Sequence, residues 1–304
     1  MKAVFLDAET LGDVDLAPLK AVCELTVYPQ TAPEALPERL AGQEIVITNK
    51  VVIPAAVMAN LKGICVTATG TNNIDMAAAR ALNLPVKNVV NYGTRSVAQH
   101  TLMLMLSLAA QLPRYEQALR QRQWQHSSGF CLMQHPTLEL AGKTLVIVGA
   151  GTLGTAVAAL AQAFGMTVRF SARPGSSNDS RPAFTDLLPE ADVLSFHCPL
   201  TDATTHLLNA QTLPLIKPGC LVVNCARGGI IDEQACLAAL RQGTLGGLAV
   251  DVLPEEPPVS GHALLDALHE DINLIITPHN AWISQEARQN IVNLTADNVQ
   301  AIRA

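Results

Sequence analysis

Short runs of buried-strand character alternate with helix-like runs along this 304-residue chain, and that alternation leaves few folds open. Residues 2–6 (KAVFL), 44–48 (EIVIT) and 63–68 (GICVTA) read as strands, with helix-like stretches such as 54–61 and 74–83 between them. A second series starts at 144–148 (TLVIV) and continues through 166–171, 192–197, 220–226, 248–252 and 273–277. Strands apolar along their whole length must be covered on both faces, the pattern of a parallel sheet flanked by helices. Two such series predict an α/β chain with two doubly wound parallel-sheet units. A helical region over 96–124, open to a break at Pro113, joins them. A last helix over 285–303 carries Ile291, Leu294, Asn298 and Ile302 near helical spacing, and its apolar stripe needs a surface to bury against. Periodicity does not decide which unit it closes.

Composition narrows the function classes. At 49% hydrophobic and 15% charged, the chain is globular rather than disordered or collagen-like. A net charge of −6, with no run of five like charges, argues against a nucleic-acid-binding face. The seven cysteines are odd in number, form no C-x-x-C pair and lie partly in apolar runs, as reduced thiols of a cytoplasmic protein do. Lys2 and Asp7 leave no apolar core for a signal peptide, and the most apolar helix-like stretch, 101–113, is far short of the roughly 20 residues that span a bilayer. Neither a membrane partner nor a metal site is expected.

The strand at 144–148 runs into Gly149-Ala150-Gly151-Thr152-Leu153-Gly154, a G-x-G-x-x-G turn placed between a strand and a helix. Gly149 permits the tight turn, Gly151 lets the backbone approach a pyrophosphate, and Gly154 lets the helix pack closely on the strand. The phosphates then sit at the positive helix N-terminus, beside Thr152 and Leu153. The same turn also serves close packing without a ligand. An NAD site usually has Asp or Glu about 20 residues further on, to bind the ribose 2′-hydroxyl. Here the strand end reads Phe170-Ser171-Ala172-Arg173-Pro174, and Ser171 and Arg173 suit a 2′-phosphate better, although Arg173 reads equally well as a solvated loop residue.

Three further signals follow later strands of the second series: Arg227-Gly228-Gly229, Glu255-Glu256-Pro257-Pro258, and Pro278-His279-Asn280. Ligands of open parallel sheets bind outside the carboxyl ends of the strands. An Arg offers a bidentate fork for a carboxylate, a His offers a proton near neutral pH, and a Glu beside that His holds the imidazole and favours its protonated form. Singly each is ordinary: a surface charge, a solvated turn, a helix cap. Together, downstream of a dinucleotide turn, they are the parts needed to reduce a 2-keto acid with a hydride supplied by a nicotinamide cofactor.

With TGTNNID (69–75), GTRSVAQH (93–100), VGAGTLG (148–154), HCPLT (197–201), NCARGGIIDEQACLAAL (224–240), AVDVLPEEPP (249–258) and TPHNAW (277–282), the chain resembles the D-isomer-specific 2-hydroxyacid dehydrogenase family over nearly its whole length. TATGTNNID, YGTRSVAQHT and FGMTVRF resemble its bacterial glycerate dehydrogenase, or hydroxypyruvate reductase, branch. The resemblance implies a Rossmann cofactor domain (99–283) inserted into a flavodoxin-like substrate domain (1–98 and 284–304). It implies that Arg227 binds the substrate carboxylate, that His279 exchanges the proton with the keto oxygen, and that Glu256 hydrogen-bonds His279, Glu255 being the weaker choice. Asp251 would bind the nicotinamide carboxamide, with Cys225 and Ala226 nearby, and His197, Pro199 and Thr205 would line the adenosine side. Thr69 and Gly70 would give backbone N–H groups to the carboxylate, with Lys50 and Trp282 as further substrate-side candidates. The expected cofactor is NAD(P)(H), with NADP(H) suggested by Ser171 and Arg173 and NAD(H) not excluded. The expected activity is reversible hydride transfer with a small 2-keto acid, hydroxypyruvate or glyoxylate, giving D-glycerate or glycolate. A homodimer is implied, and the apolar run Leu102-Met103-Leu104-Met105-Leu106 fits its interface, as it would fit a helix buried within a domain. The family's phosphoglycerate dehydrogenases and its dinucleotide-sensing corepressors are the alternatives. The former often carry a C-terminal regulatory domain and the latter long disordered tails. Gln99 stands where many members have Glu.

Overall fold

The computed structural model describes residues 1–176 and 178–303. The chain forms two compact units, Met1–Gly93 with Trp282–Ala304, and Thr94–Ala281. The division falls at the start of the helix Thr94–Ala109 rather than inside it, because that helix belongs as one element to the core of the second unit.

The first unit is built on β1 (Lys2–Phe5), β2 (Glu24–Val27), β3 (Ile45–Thr48), β4 (Gly63–Val66) and β5 (Val86–Asn88), all parallel, in the order β2-β1-β3-β4-β5. Alternate residues of the central strands feed two cores. Ala3, Phe5, Ile45 and Ile47 meet Ile291, Val292 and Val299 of the last helix, Gln285–Arg303, which therefore closes this unit. Val4, Val46, Ile64 and Val66 meet Leu36, Ile53 and Met58 on the other face. The sequence does not announce β2 and β5. Both are edge strands with no fully buried residue, so they lack the continuous apolar run that marks the central three. The helix read over 54–61 is only a short 3-10 turn, Ala55–Val57.

The second unit has β6 (Thr144–Val148), β7 (Thr167–Phe170), β8 (Val193–Phe196), β9 (Cys220–Asn224), β10 (Leu245–Val250) and β11 (Leu274–Ile276) in the order β11-β10-β9-β8-β6-β7, again all parallel. From β6 the chain goes outward to β7 and then returns to the other side of β6, so the strand order reverses between β6 and β8. The carboxyl end of such a reversal is where open α/β sheets take ligands. β10 starts three residues earlier than its apolar run, because Gly246 and Gly247 hide the strand in the sequence. The long helical region breaks at Gln111, which has φ +55, and Pro113 sits in the first turn of the next helix, Leu112–Arg120. Within the run 102–106, Leu104 and Met105 are buried in this unit's own core while Met103 and Leu106 are exposed. Among the described residues all seven cysteines are unpaired thiols, no group of His, Cys, Asp or Glu is placed to hold a metal, and no helix is long and apolar enough to cross a membrane.

Candidate active site

The loops at the carboxyl ends of β6 to β11 carry the candidate residues of the second unit. Gly149 leaves β6 with φ +112, a conformation that L side chains rarely adopt, and a Cβ there would lie 2.5 Å from the carbonyl oxygen of His197. A Cβ on Gly154 would lie 1.9 Å from the Gly149 carbonyl oxygen, so the helix Thr152–Ala163 can approach β6 only with glycine there. Gly151 differs: a Cβ on it would meet nothing within 4 Å. Gly151 is the N-cap of that helix and has no side chain to cap it. Two glycines thus serve packing, and the third opens space in front of uncapped backbone N–H groups, which suits a pyrophosphate. Thr152 is exposed and Leu153 half-buried at the same helix start.

His197 follows β8 with Nε2 2.8 Å from Ser195 Oγ, and its Nδ1 is enclosed with no hydrogen-bond partner among the described residues. Burial pushes its imidazole down to about 4, so the ring is neutral. Pro199 and Thr205 lie exposed on the next loop, the Thr205 hydroxyl donating to the Thr201 carbonyl (2.9 Å). At the end of β7, Ser171 does not fill the role expected of it. It is 1% exposed, and its hydroxyl donates to the Ala172 carbonyl (3.1 Å), so the hydroxyl is enclosed and already engaged. Arg173 is exposed. Asp179 folds back to accept the Arg173 backbone N–H (2.7 Å) and pairs with Arg181, whose guanidinium holds the carboxyl well below its usual range.

Arg227 leaves β9 exposed, with one Nη1–H donating to the Ala226 carbonyl (2.6 Å). A Cβ on the next residue, Gly228, would lie 2.2 Å from the Leu253 carbonyl carbon. Glycine therefore lets the Arg227 loop press against the backbone that leads into Glu255 and Glu256. Glu256, not Glu255, meets the histidine: His279 Nδ1 and Glu256 Oε2 are 2.6 Å apart, with side chains 39% and 34% exposed. The other carboxylate oxygen, Oε1, accepts the Leu253 N–H (2.9 Å), which fixes the carboxylate from behind. Cys225 and Ala226 sit at the end of β9, and burial pushes the Cys225 thiol up to about 12, so it is no nucleophile at neutral pH. Asp251, 1% exposed, is where the His279 loop is tied down: its oxygens accept from the Thr277 hydroxyl (2.5 Å) and from the backbone N–H groups of Asn280 (3.0 Å) and Ala281 (3.1 Å). Sequence reasoning overlooked Thr277, and it overlooked His100, whose Nε2 lies 3.0 Å from the Thr277 hydroxyl across 177 residues of chain. No motif spacing links residues so far apart.

The remaining candidates belong to the first unit. Lys50 is exposed after β3, its backbone N–H bound by Asp7 (2.6 Å). Thr69 and Gly70 are exposed after β4, and Asn88 donates to the Thr69 carbonyl (2.6 Å). Trp282 is half-buried edge-on to Tyr92, with ring centres 6.2 Å apart.

Residues 102–281 match the family model of the D-isomer specific 2-hydroxyacid dehydrogenase, NAD binding domain. The chain is 40% identical to the glycerate dehydrogenase of Methylorubrum extorquens over all of its own length and 96% of that protein's. It is 33% identical to the hydroxypyruvate reductase of Blautia hydrogenotrophica, covering 99% of this chain and 96% of that one. The solved structure of a D-2-hydroxyisocaproate dehydrogenase superposes with a TM-score of 0.87 at 23% identity, over 100% of this chain and 97% of that one, and so shares the fold.

Proposed function

The chain belongs to the D-isomer-specific 2-hydroxyacid dehydrogenases, and from that premise we propose that it reduces hydroxypyruvate or glyoxylate reversibly to D-glycerate or glycolate. The observation that carries this reading is the 2.6 Å contact of His279 with Glu256, on a loop packed against the one that bears Arg227. The nicotinamide ring supplies the hydride when bound. Arg227 takes the substrate carboxylate with its planar fork, which a point charge does not imitate. Glu256 engages Nδ1 of His279, so Nε2 is the nitrogen left to give a proton to the keto oxygen in reduction and to take it back in oxidation. Gly149, Gly151, Thr152, Leu153 and Gly154 hold the pyrophosphate; His197, Pro199 and Thr205 line the adenosine, and Cys225, Ala226 and Asp251 the nicotinamide. In the other unit, Thr69 and Gly70 present backbone N–H groups and Lys50 an ammonium, donors that a carboxylate accepts, and Trp282 completes the substrate-side set.

Initial rates with hydroxypyruvate, glyoxylate, pyruvate and phosphohydroxypyruvate test the substrate. His279→Ala is expected to lose about 10²–10⁴-fold in kcat, the usual size of an acid–base contribution, while still binding dinucleotide. Full activity in that variant would end the assignment.

NADPH is expected to serve at least as well as NADH. No acid stands at the end of β7, Arg173 is exposed there, and the nearby Asp179 carboxylate is already paired with Arg181. A charge-assisted contact is worth about 1.5–3 kcal/mol, tenfold or more in affinity, so Arg173→Ala should lower kcat/KM for NADPH by about that factor and leave NADH nearly unchanged. A strong NADH preference in the parent, indifferent to the substitution, would refute it. A homodimer is also part of the reading, supported by large apolar side chains held in solvent around 124–133.

A further inference from the structure

Several bonds behind His279 hold a backbone that does not hold itself. His279 has φ +51, in the left-handed region that non-glycine residues seldom occupy. Three consecutive N–H groups of this turn end on Asp251: that of His279 on its carbonyl (2.8 Å), that of Asn280 on Oδ1 (3.0 Å) and that of Ala281 on Oδ2 (3.1 Å). Asp251 Oδ1 also accepts the Thr277 hydroxyl (2.5 Å). A threonine hydroxyl has one proton, and here Asp251 engages it. His100 Nε2, 3.0 Å from the same hydroxyl oxygen, must therefore be the donor and carry a hydrogen. That nitrogen is also 3.5 Å from Asp251 Oδ1, so its N–H faces the carboxylate. Burial pushes the His100 imidazole down, with Asp251 opposing, so His100 donates as a neutral ring.

We propose that His100 is a positioning residue for the reaction: through Thr277 and Asp251 it fixes the 279–281 turn and with it the aim of the His279 imidazole. The inference rests on His279 being the proton donor. His100 itself touches neither reacting atom; it supplies the hydrogen bond that orients the Thr277 hydroxyl toward Asp251, and Asp251 in turn orders the turn.

The test compares His100→Phe, His100→Gln, Thr277→Val and the double variant His100→Phe/Thr277→Val, with His279→Ala alongside. His100→Phe removes the donor, and since a misplacement of about 1 Å can cost roughly 10²-fold in rate, kcat should fall about 10- to 100-fold. Substrate KM, dinucleotide affinity by fluorescence titration and melting temperature should stay near the parent. His100→Gln, which keeps an N–H, should recover most of kcat. The double variant should be no slower than the slower single, because both substitutions break one chain of bonds. Parental kcat in His100→Phe, multiplying losses in the double variant, or a loss shared equally by KM and dinucleotide affinity would each overturn the proposal. If His100→Phe does not fold, Thr277→Val against Thr277→Ser decides, with only the hydroxyl-bearing variant expected to keep kcat. An active His279→Ala would show that the proton-donor reading failed first and would take the positioning role with it; an inactive one beside a parental His100→Phe sinks the positioning role alone.

Discussion

His197 shows how strongly one enclosed side chain can tie this fold to pH. Its Nδ1 has no partner among the described residues and burial lowers its imidazole to about 4, whereas in the unfolded chain a histidine titrates near 6.5. Between these values the unfolded chain binds a proton that the folded chain does not. The stability due to neutral His197 is therefore complete above about 6.5 and is lost as pH falls through about 4, by up to about 1.4 kcal/mol per pH unit in that window. Urea unfolding midpoints should drop across this range in the parent and drop less in His197→Gln; parallel curves would clear His197 of responsibility. At this scale the sequence pointed to a His279–Glu256 pair, and the structure brings those two side chains within 2.6 Å. Arg227, Glu256 and His279 are each ordinary alone, and it was their joint appearance after strands downstream of the glycine turn that singled them out. Ser171 was misjudged because a residue type at a strand end does not reveal which way its side chain turns, and His100 was passed over because its partner is distant in sequence. The backbone at His279 is costly as well, a left-handed non-glycine conformation being worth about 1–3 kcal/mol of strain, and only the surrounding bonds to Asp251 explain why it persists.

At the scale of elements, the turn after β6 separates two duties that one motif conceals. A Cβ at position 154 would sit 1.9 Å from backbone, and the helix can make room only by leaving the strand; a Cβ at position 151 would enter open space. Gly154→Ala should therefore lower the melting temperature along with dinucleotide affinity, while Gly151→Ala should keep the parent's melting temperature and lose dinucleotide affinity alone. Equal melting temperatures with equal affinities in both variants would contradict this division. The central strands were readable because a strand buried on both faces must be apolar throughout. The edge strands β2 and β5 were not, since one row of their side chains meets solvent and three or four residues are too few to show a period. The stretch 54–61 misled in the opposite direction, its apolar residues serving a loop that covers β3 and β4 rather than a helix.

At the scale of the whole molecule, Phe130 is 92% and Met133 85% exposed, with Trp124 close by in sequence and its indole N–H bound to the Phe130 carbonyl (3.0 Å). Apolar side chains of this size so exposed fit the association surface that the proposed homodimer requires. If the proposed homodimer forms through this surface, the parent should sediment as a dimer and Phe130→Ser combined with Met133→Ser as a monomer, without a lower melting temperature of the unit. A parent that sediments as a monomer would show that this surface does not pair copies of the chain. The composition of the two units has a further consequence, in time rather than in space. Domains tend to fold as units while the chain emerges from the ribosome, amino end first. The unit Thr94–Ala281 is one unbroken stretch and can finish as soon as it has emerged, but the unit that begins at Met1 needs Ile291, Val292 and Val299 for its core. Residues 1–93 thus have to wait, incomplete, until residues 285–303 have emerged, and they are the part most in need of protection while the intervening unit is being made.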